Sequence, residues 1–110
     1  MIALDCVLEY PQGHDICNKR KNKSYLEKMY SHIDFSLVET NEPVWKETSE
    51  FLHELQDRVK QFKKFVLARP EEKIVLVSHS SYIKTLMGLE IGDESNELNH
   101  CFPYSVNVSL

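Results

Sequence analysis

Apolar and polar residues alternate at the start of the chain. Ile2, Leu4, Cys6 and Leu8 fall on one face of an extended segment, and this period of two is typical of a β-strand. The turn-forming residues of Pro11–Gly13 interrupt the pattern, because proline and glycine favour a tight turn over a continuing strand. We therefore predict a β-strand as the first element.

Two segments repeat apolar residues at steps of three and four, which is the period of an amphipathic helix. The first, residues 24–33, begins with Ser24 and Glu27 at capping-box spacing, in which each side chain satisfies a backbone N–H of the first turn. The second, roughly residues 44–68, is the longest predicted helix, and Pro70 ends it because proline cannot continue the hydrogen-bond ladder. Its apolar stripe consists of Leu52, Leu55, Val59, Phe62, Phe65 and Val66.

A continuous apolar run, Ile74–Val77, leads without a loop into the sequence SHSS and then into another apolar helix pattern. Such a run is typical of a strand that is buried on both faces of a parallel sheet. The pattern after it predicts a helix over about residues 80–88, with Gly88 as its C-cap. Alternating apolar residues in YSVNVSL, residues 104–110, predict a last strand.

The order of these elements predicts a fold class and the place of a site. Strands separated by helices indicate an α/β fold with a mainly parallel sheet, and 110 residues fit one domain over residues 1–110. Ligands of such sheets bind beyond the carboxyl ends of the strands. Glu9 and His79 each stand at the end of a predicted strand, so they form the candidate pair.

Charge and hydropathy exclude several classes of partner. The net charge is −4, and the dispersed basic residues form no stripe of the kind that binds nucleic acid. We interpret the basic run Lys19–Lys23 as a solvated loop, with anion binding as the alternative. No apolar run approaches the ~20 residues of a membrane span, and no signal-like basic region follows Met1. We expect a cytoplasmic protein without a nucleic-acid or membrane partner.

The three cysteines are an odd number and form no CxxC motif, so a disulfide framework is not expected. Cys17 and His14 together could supply half of a zinc site, but no second pair of ligands follows at the required spacing. We therefore expect no metal and no cofactor.

His79 lies between a predicted strand and the N-terminus of a predicted helix, a position where free backbone N–H groups favour an anion. Its imidazole can donate to a phosphate oxygen or attack phosphorus, and Glu9 can act as a general acid. The alternative is a structural histidine bonded to a backbone carbonyl, with Glu9 a solvated strand end. A serine nucleophile is disfavoured because no G-x-S-x-G motif is present. The remaining histidines, interpreted as surface residues, are His14, His32, His53 and His100.

Several motifs, in order, resemble the histidine phosphatase or phosphoglycerate mutase-like superfamily, and in particular its plant and fungal phosphoglycerate mutase-like branch. They are LEY...G...CNKR, IDFSLVE, Trp45 and RVKQFKKFVLARPEEKIVLVSH. The resemblance implies a three-layer α/β/α sandwich, with His79 as the family's second histidine, which hydrogen-bonds the phosphoryl group. It also implies that Glu9 is the general acid and that the backbone N–H of Ser80 helps to bind phosphate.

One family motif is absent: the chain has no Arg-His-Gly, which in the family carries the nucleophilic histidine. The chain therefore resembles the C-terminal portion of such an enzyme, truncated at its N-terminal side. The resemblance implies phosphomonoester hydrolysis or phosphoryl transfer on a phosphorylated small molecule or a phosphoprotein, impaired without the nucleophile. The alternative is a non-catalytic module that binds phosphate or protein. An open edge at Ile74–Val77 predicts a homo-oligomer or a complementing N-terminal half.

Overall fold

The computed structural model describes residues 1–93, 95 and 97–109, and regular structure within them is helical. Three α-helices follow one another along the chain, and two single turns of 3-10 helix precede them. The α-helices are α1 (Lys23–Met29), α2 (Leu52–Leu67) and α3 (Ser80–Leu86). The 3-10 turns are Asp5–Val7 and Ile16–Asn18. No α-helix in this described part of the chain is both long and apolar enough to cross a membrane.

Helix α2 begins later than the apolar pattern predicts. The backbone of residues 46–50 is instead paired with the turn at residues 12–14: the Glu50 amide donates to the Gln12 carbonyl at 2.7 Å. The helix then begins after Phe51, whose amide donates to the Glu54 carboxylate at 2.8 Å. This backbone hydrogen bond is also the main reason why the pKa of Glu54 is lowered, and it satisfies one of the free N–H groups of the first turn.

Helix α3 ends as the sequence predicts. Gly88 has a φ of 77°, the left-handed conformation that glycine adopts without a steric penalty. Its amide donates to the Thr85 carbonyl at 3.1 Å, and the Leu89 amide donates to the Lys84 carbonyl at 2.8 Å. This pair of bonds is a Schellman motif, so the predicted C-cap at Gly88 is confirmed.

The core lies between α2 and α3. It consists of Leu55, Val59 and Phe62 from α2 and of Tyr82 and Leu86 from α3, all of them buried. The rings of Phe62 and Tyr82 meet edge to face, with centroids 6.3 Å apart and planes at 77°, an arrangement that aromatic quadrupoles favour. Side chains of the N-terminal segment, including Leu4 and Cys6, pack against this core.

The predicted α/β sandwich with a mainly parallel sheet is wrong for this structure. Among the described residues, β-pairing is limited to one isolated parallel bridge between Ile2 and Asp34. The carbonyl oxygens that a strand would offer to a neighbour accept side-chain donors instead. Arg58 donates to the carbonyls of Cys6 and Leu8, and Ser78 donates to the carbonyl of Val7. The first predicted strand is therefore a bent segment fixed by side chains.

The other two predicted strands are also absent from the described residues. Ile74–Val77 belongs to no sheet, and Val75 is 91% exposed. Residues 104–109 are likewise outside any strand, while Leu110, the last residue of that predicted strand, lies outside the described residues. Alternation and apolar runs indicate which faces could be buried, but a strand forms only where another strand accepts its hydrogen bonds.

Helix α1 also differs from its prediction at the start. It begins at Lys23, and Ser24 lies in its first turn rather than capping it. The Ser24 amide donates to the Oδ1 atom of Asn41 at 2.9 Å, so a side chain distant in sequence caps this helix. Tyr25 and Met29 are about half exposed, at 48% and 58%, and α1 contributes no buried residue.

Candidate functional site

Glu9 and His79 are brought together at the mouth of α3. The Nδ1 atom of His79 lies 3.5 Å from the Oε2 atom of Glu9. The two segments are held in register by Ser78, whose hydroxyl donates to the Val7 carbonyl at 2.6 Å. His79 is the N-cap residue of α3, with extended backbone, so its side chain projects from the end of the helix. The side chains remain reachable from solvent, at 54% exposure for His79 and 27% for Glu9.

The Glu9 carboxylate is oriented by its own backbone environment. Its Oε1 atom accepts from the Tyr10 amide at 2.8 Å, which leaves Oε2 as the atom nearest His79. The Glu9 carbonyl accepts from the amide nitrogen of the Gln12 side chain at 2.7 Å. The carboxylate is thus placed by bonds on both sides of the residue, with Oε2 facing the His79 ring.

Ser80 is the first residue of α3 and follows His79 directly. Its hydroxyl donates to Oε1 of Glu97 at 3.3 Å, and Oε2 of the same carboxylate is paired with Lys84 at 3.3 Å. Lys84 is buried, with 2% of its surface exposed. The surroundings of His79 therefore combine two carboxylates, Glu9 and Glu97, with one ammonium group that is already paired. This balance of charge disfavours the strong binding of an anion.

Arginine side chains occupy positions that the sequence interpretation did not assign to the site. Arg20 was expected in a solvated loop, but its side chain is 7% exposed and pairs with Asp5 at 2.6 Å, so that expectation is wrong for Arg20. Arg58 pairs with Glu50 through two bonds of 2.7 and 2.8 Å. Both partners are largely buried, with 17% of Arg58 and 7% of Glu50 exposed.

The signal that could have found Arg58 is its place in the helical pattern. It lies three residues after Leu55 and four before Phe62, on the face that becomes the core. A charged residue within an apolar stripe is costly unless it is paired. Nothing local in the sequence indicates that the pair would be Glu50 or that the guanidinium would reach the carbonyl of Leu8.

Burial raises the pKa of two further groups at the base of the site. Desolvation raises the pKa of the Cys6 thiol, and the nearby Arg58 charge opposes this only partly. Desolvation also raises the pKa of Tyr82, so both groups are protonated and neutral at ordinary pH. Cys6 and Tyr82 therefore support the site by packing, and neither is available as an anionic nucleophile.

The other histidines lie on the surface, as the sequence pattern predicts. His14, His32, His53 and His100 are all exposed. His14 contacts Asp15 at 3.3 Å, and the His53 ring stacks on Phe51 with centroids 5.7 Å apart. Within the described ranges, no three His, Cys, Asp or Glu residues are grouped closely enough to hold a metal ion.

Three curated proteins of Arabidopsis thaliana are similar to this chain. A phosphoglycerate mutase-like protein is 34% identical over 77 residues, which are 68% of this chain and 28% of that protein. Phosphoglycerate mutase-like protein 1 is 32% identical over 90 residues, 79% of this chain and 29% of that protein. Phosphoglycerate mutase-like protein 2 is 34% identical over 74 residues, 66% of this chain and 22% of that protein.

These matches confirm the resemblance that the ordered motifs predict. The chain spans less than a third of the length of each of these relatives. No family model and no solved structure matches the chain.

Proposed function

We propose, since this chain belongs to the phosphoglycerate mutase-like family, that it carries the phosphoryl-holding and proton-donating half of a histidine phosphatase site. The reaction class is hydrolysis or transfer of a phosphomonoester. The observation that carries the proposal is the contact between His79 and Glu9, 3.5 Å apart. One of these groups hydrogen-bonds well to a phosphoryl oxygen, and the other is an acid next to it.

The proposed roles follow from the atoms available. His79, with half of its side chain exposed, donates an imidazole N–H to an oxygen of the phosphoryl group. Glu9, in its protonated form, gives its proton to the leaving oxygen as the bond from phosphorus to that oxygen breaks. The backbone N–H of Ser80, the first residue of α3, adds a second donor to the phosphoryl oxygens.

The attacking group has to come from another segment or another chain, because this sequence contains no Arg-His-Gly motif. The described arginines cannot replace the missing charge, since Arg20, Arg58 and Arg69 are each paired with a carboxylate. Loss of one preorganised donor to the transition state typically costs about 10²–10³ in rate. We therefore expect the isolated 110-residue chain to hold phosphate weakly and to hydrolyse phosphomonoesters very slowly.

A non-catalytic module that binds phosphate or a protein is the second candidate. Within this candidate, the Glu97 carboxylate, which accepts from the Ser80 hydroxyl at 3.3 Å, favours a protein partner over phosphate. A like charge at that distance opposes a second anion. Under this alternative the site binds a ligand, or a protein partner covers it, without turnover.

One experiment separates these functions. Inorganic phosphate is titrated into the 15N-labelled chain while the His79 ring signals are followed by NMR, and hydrolysis of an aryl phosphate is measured in parallel. We expect the His79 ring signals to move saturably with phosphate. Binding in the variants, followed through the backbone amide signal of Ser80, should be lost in His79→Ala and kept in Glu9→Gln, whereas hydrolysis should be lost in both. His32→Ala, which changes another exposed histidine, is the matched control.

The outcomes are distinct. Binding with a trace of turnover that needs both residues supports the half-site. Binding without any turnover supports the non-catalytic module. Absence of both contradicts the proposal and leaves His79 as a structural residue. Rapid turnover that depends on His79 would contradict the view that a nucleophile is missing.

A further inference from the structure

The side chain of Arg58 reaches from α2 to the segment that carries Glu9. One of its terminal nitrogens donates to the carbonyl of Leu8 at 2.8 Å and to the carbonyl of Cys6 at 3.2 Å. These partners are 50 and 52 residues away in the sequence. The carbonyl of Leu8 belongs to the peptide bond that leads into Glu9, so the guanidinium fixes the backbone directly before the proposed acid.

A second connection runs through Glu50. This carboxylate accepts two bonds from Arg58, and its Oε1 atom also accepts from the Gln12 amide at 3.1 Å. The side chain of Gln12 in turn donates to the carbonyl of Glu9 at 2.7 Å. Glu9 is thus held on its N-terminal side by Arg58 and on its C-terminal side by Gln12. Glu50 connects these two contacts, because it bonds both Arg58 and the Gln12 amide.

A third connection leads to the helix that begins at His79. The Tyr82 ring lies under the guanidinium of Arg58, with 5.6 Å from the guanidinium carbon to the ring centroid. The Tyr82 hydroxyl donates to the carbonyl of Arg58 at 3.4 Å. Tyr82 has no exposed surface, so this contact is fixed by the core. Arg58 therefore touches both the segment that bears Glu9 and the helix that bears His79.

We propose that Arg58 is the positioning residue that sets the separation between Glu9 and His79. The proposal rests on the proposed function, since a positioned acid is useful only where a phosphoryl group is held. Arginine suits this role because its planar fork bonds a carboxylate through two atoms and still has N–H groups left for carbonyls. Lysine, a single charged point, cannot make the same set of bonds.

The test is a double-mutant cycle read from the His79 ring. In the wild-type background, Glu9→Gln removes a charge 3.5 Å from Nδ1, and the ring 1H and 15N signals of His79 move. In an Arg58→Met background we expect the same Glu9→Gln change to move these signals by less than half as much, because Glu9 is no longer held beside the ring. Circular dichroism of Arg58→Met verifies that its helices are present.

Arg69→Met is the matched control. Arg69 also makes two bonds to a carboxylate, that of Glu71, at 2.9 and 2.7 Å, and its guanidinium also lies over an aromatic ring, that of Phe65, at 5.7 Å. It has no bond to the Glu9 segment among its described contacts. In the Arg69→Met background the effect of Glu9→Gln on His79 should keep its full size.

A folded Arg58→Met protein in which Glu9→Gln still has its full effect would overturn the proposal. If Arg58→Met does not fold, Arg58→Lys replaces it, since lysine can still pair with Glu50 but cannot make the same set of bonds to the carbonyls. We expect a reduced effect of Glu9→Gln there also, and a full effect would overturn the proposal. The cycle uses no phosphate, so its result is independent of whether the phosphate titration succeeds.

Discussion

Two cavities border α2, and they differ in whether charged residues are among those that line them. The first, of about 310 Å³, is the bonded cleft: charged residues line it and two ion pairs, Arg20–Asp5 and Arg58–Glu50, cross its wall. The second, of about 280 Å³, is the apolar groove, which lies against Phe62 and is bounded by two segments outside any helix or strand, residues 74–76 and 102–108. The two cavities are thus similar in volume but differ in how far the residues that line them are paired or packed within the chain.

In the bonded cleft, polar groups find partners within the chain. In the apolar groove, apolar side chains remain in water: Val75 is 91% exposed, Phe102 57% and Ile74 40%. The whole chain exposes 8237 Å², whereas a compact protein of 12.9 kDa exposes about 6,300 Å². The excess, about 1,900 Å² on one chain, is larger than the ~800 Å² per partner of a standard interface. The polar groups around Arg58 are thus paired within the chain, whereas the side chains of the apolar groove are exposed, and we expect a further chain to cover the groove.

The largest expected effect tests the bonded cleft. Arg58→Met leaves the largely buried Glu50 carboxylate without its cation and removes two bonds to backbone carbonyls. Loss of one partner of a buried ion pair typically costs about 3–5 kcal/mol, so we expect the free energy of unfolding to fall by that amount in urea titrations. Arg69→Met, at an exposed pair, should change the unfolding midpoint little. Equal shifts for the two variants would contradict the comparison.

The second effect tests the turn on which the cleft rests. Gly13 is buried and has a φ of 83°, and a methyl group there would collide with the backbone oxygen of Thr48. Gly13→Ala adds this collision to the left-handed strain of about 1–2 kcal/mol, so we expect a loss of more than about 2 kcal/mol in the free energy of unfolding. Gly88→Ala meets only the strain, since no other atom lies near the place that its methyl group would take.

Thermal unfolding of the two glycine variants provides the measurement. A loss in Gly13→Ala no greater than that in Gly88→Ala would mean that the turn at residues 12–14 moves easily away from residues 46–50. The bonded cleft would then be less rigid than its hydrogen bonds indicate.

The same contrast explains what the sequence could and could not predict. The end of α3 was predicted because a Schellman motif uses only neighbouring residues, with Gly88 supplying the left-handed turn. The first strand was predicted wrongly because alternation does not reveal where carbonyl groups find donors. Here they find them on Arg58 and Ser78, 50 to 71 residues away. The roles of Glu9 and His79 stay predictions, although the structure brings the two side chains together.

Arg58 could not be assigned from the sequence for the same reason. Its helical position indicates that it faces the core, but its four described side-chain hydrogen bonds go to residues outside α2. Long-range side-chain bonds depend on the path of the whole chain. The family resemblance did not help, because it assigns no role to Arg58, although Arg58 stands within one of the motifs that carry the resemblance.

The third prediction tests the apolar groove. The apolar segment Ile74–Val77 belongs to no sheet among the described residues, and an unpaired apolar edge invites pairing with another strand, so we expect the chain to self-associate in sedimentation equilibrium. Val75→Lys should weaken that association tenfold or more, which corresponds to about 1.4 kcal/mol or more, because a lysine at an edge blocks strand pairing. Val44→Lys is the matched control: Val44 is also exposed, at 80%, but it borders the bonded cleft.

A chain that sediments as a sharp monomer at every concentration would contradict this view of the groove as an interface between copies. It would leave a strand from a different protein or segment as the occupant. An equal loss of association in both valine variants would mean that association is driven by general surface hydrophobicity rather than by the groove.

The smallest expected effect concerns Cys6, which lines the bonded cleft, and it depends on pH. Burial raises the pKa of Cys6 in the folded chain, so the unfolded chain releases the thiol proton first as the pH rises. The folded state is then fully favoured below the ordinary thiol value of about 8.5, and stability is lost above it. At about pH 9.5 this loss has a ceiling of about 1.4 kcal/mol, and the raised pKa of Tyr82 adds only a small part there.

Urea titrations at about pH 7 and about pH 9.5 measure the loss of stability. Cys6→Ala should reduce it and Cys17→Ala, at an exposed thiol, should not, because only a thiol whose ionisation is resisted by the core couples the pH to folding. A loss that is the same in all three proteins would mean that the segment holding Glu9 opens before the core does, and the bonded cleft would then be no firmer than the groove.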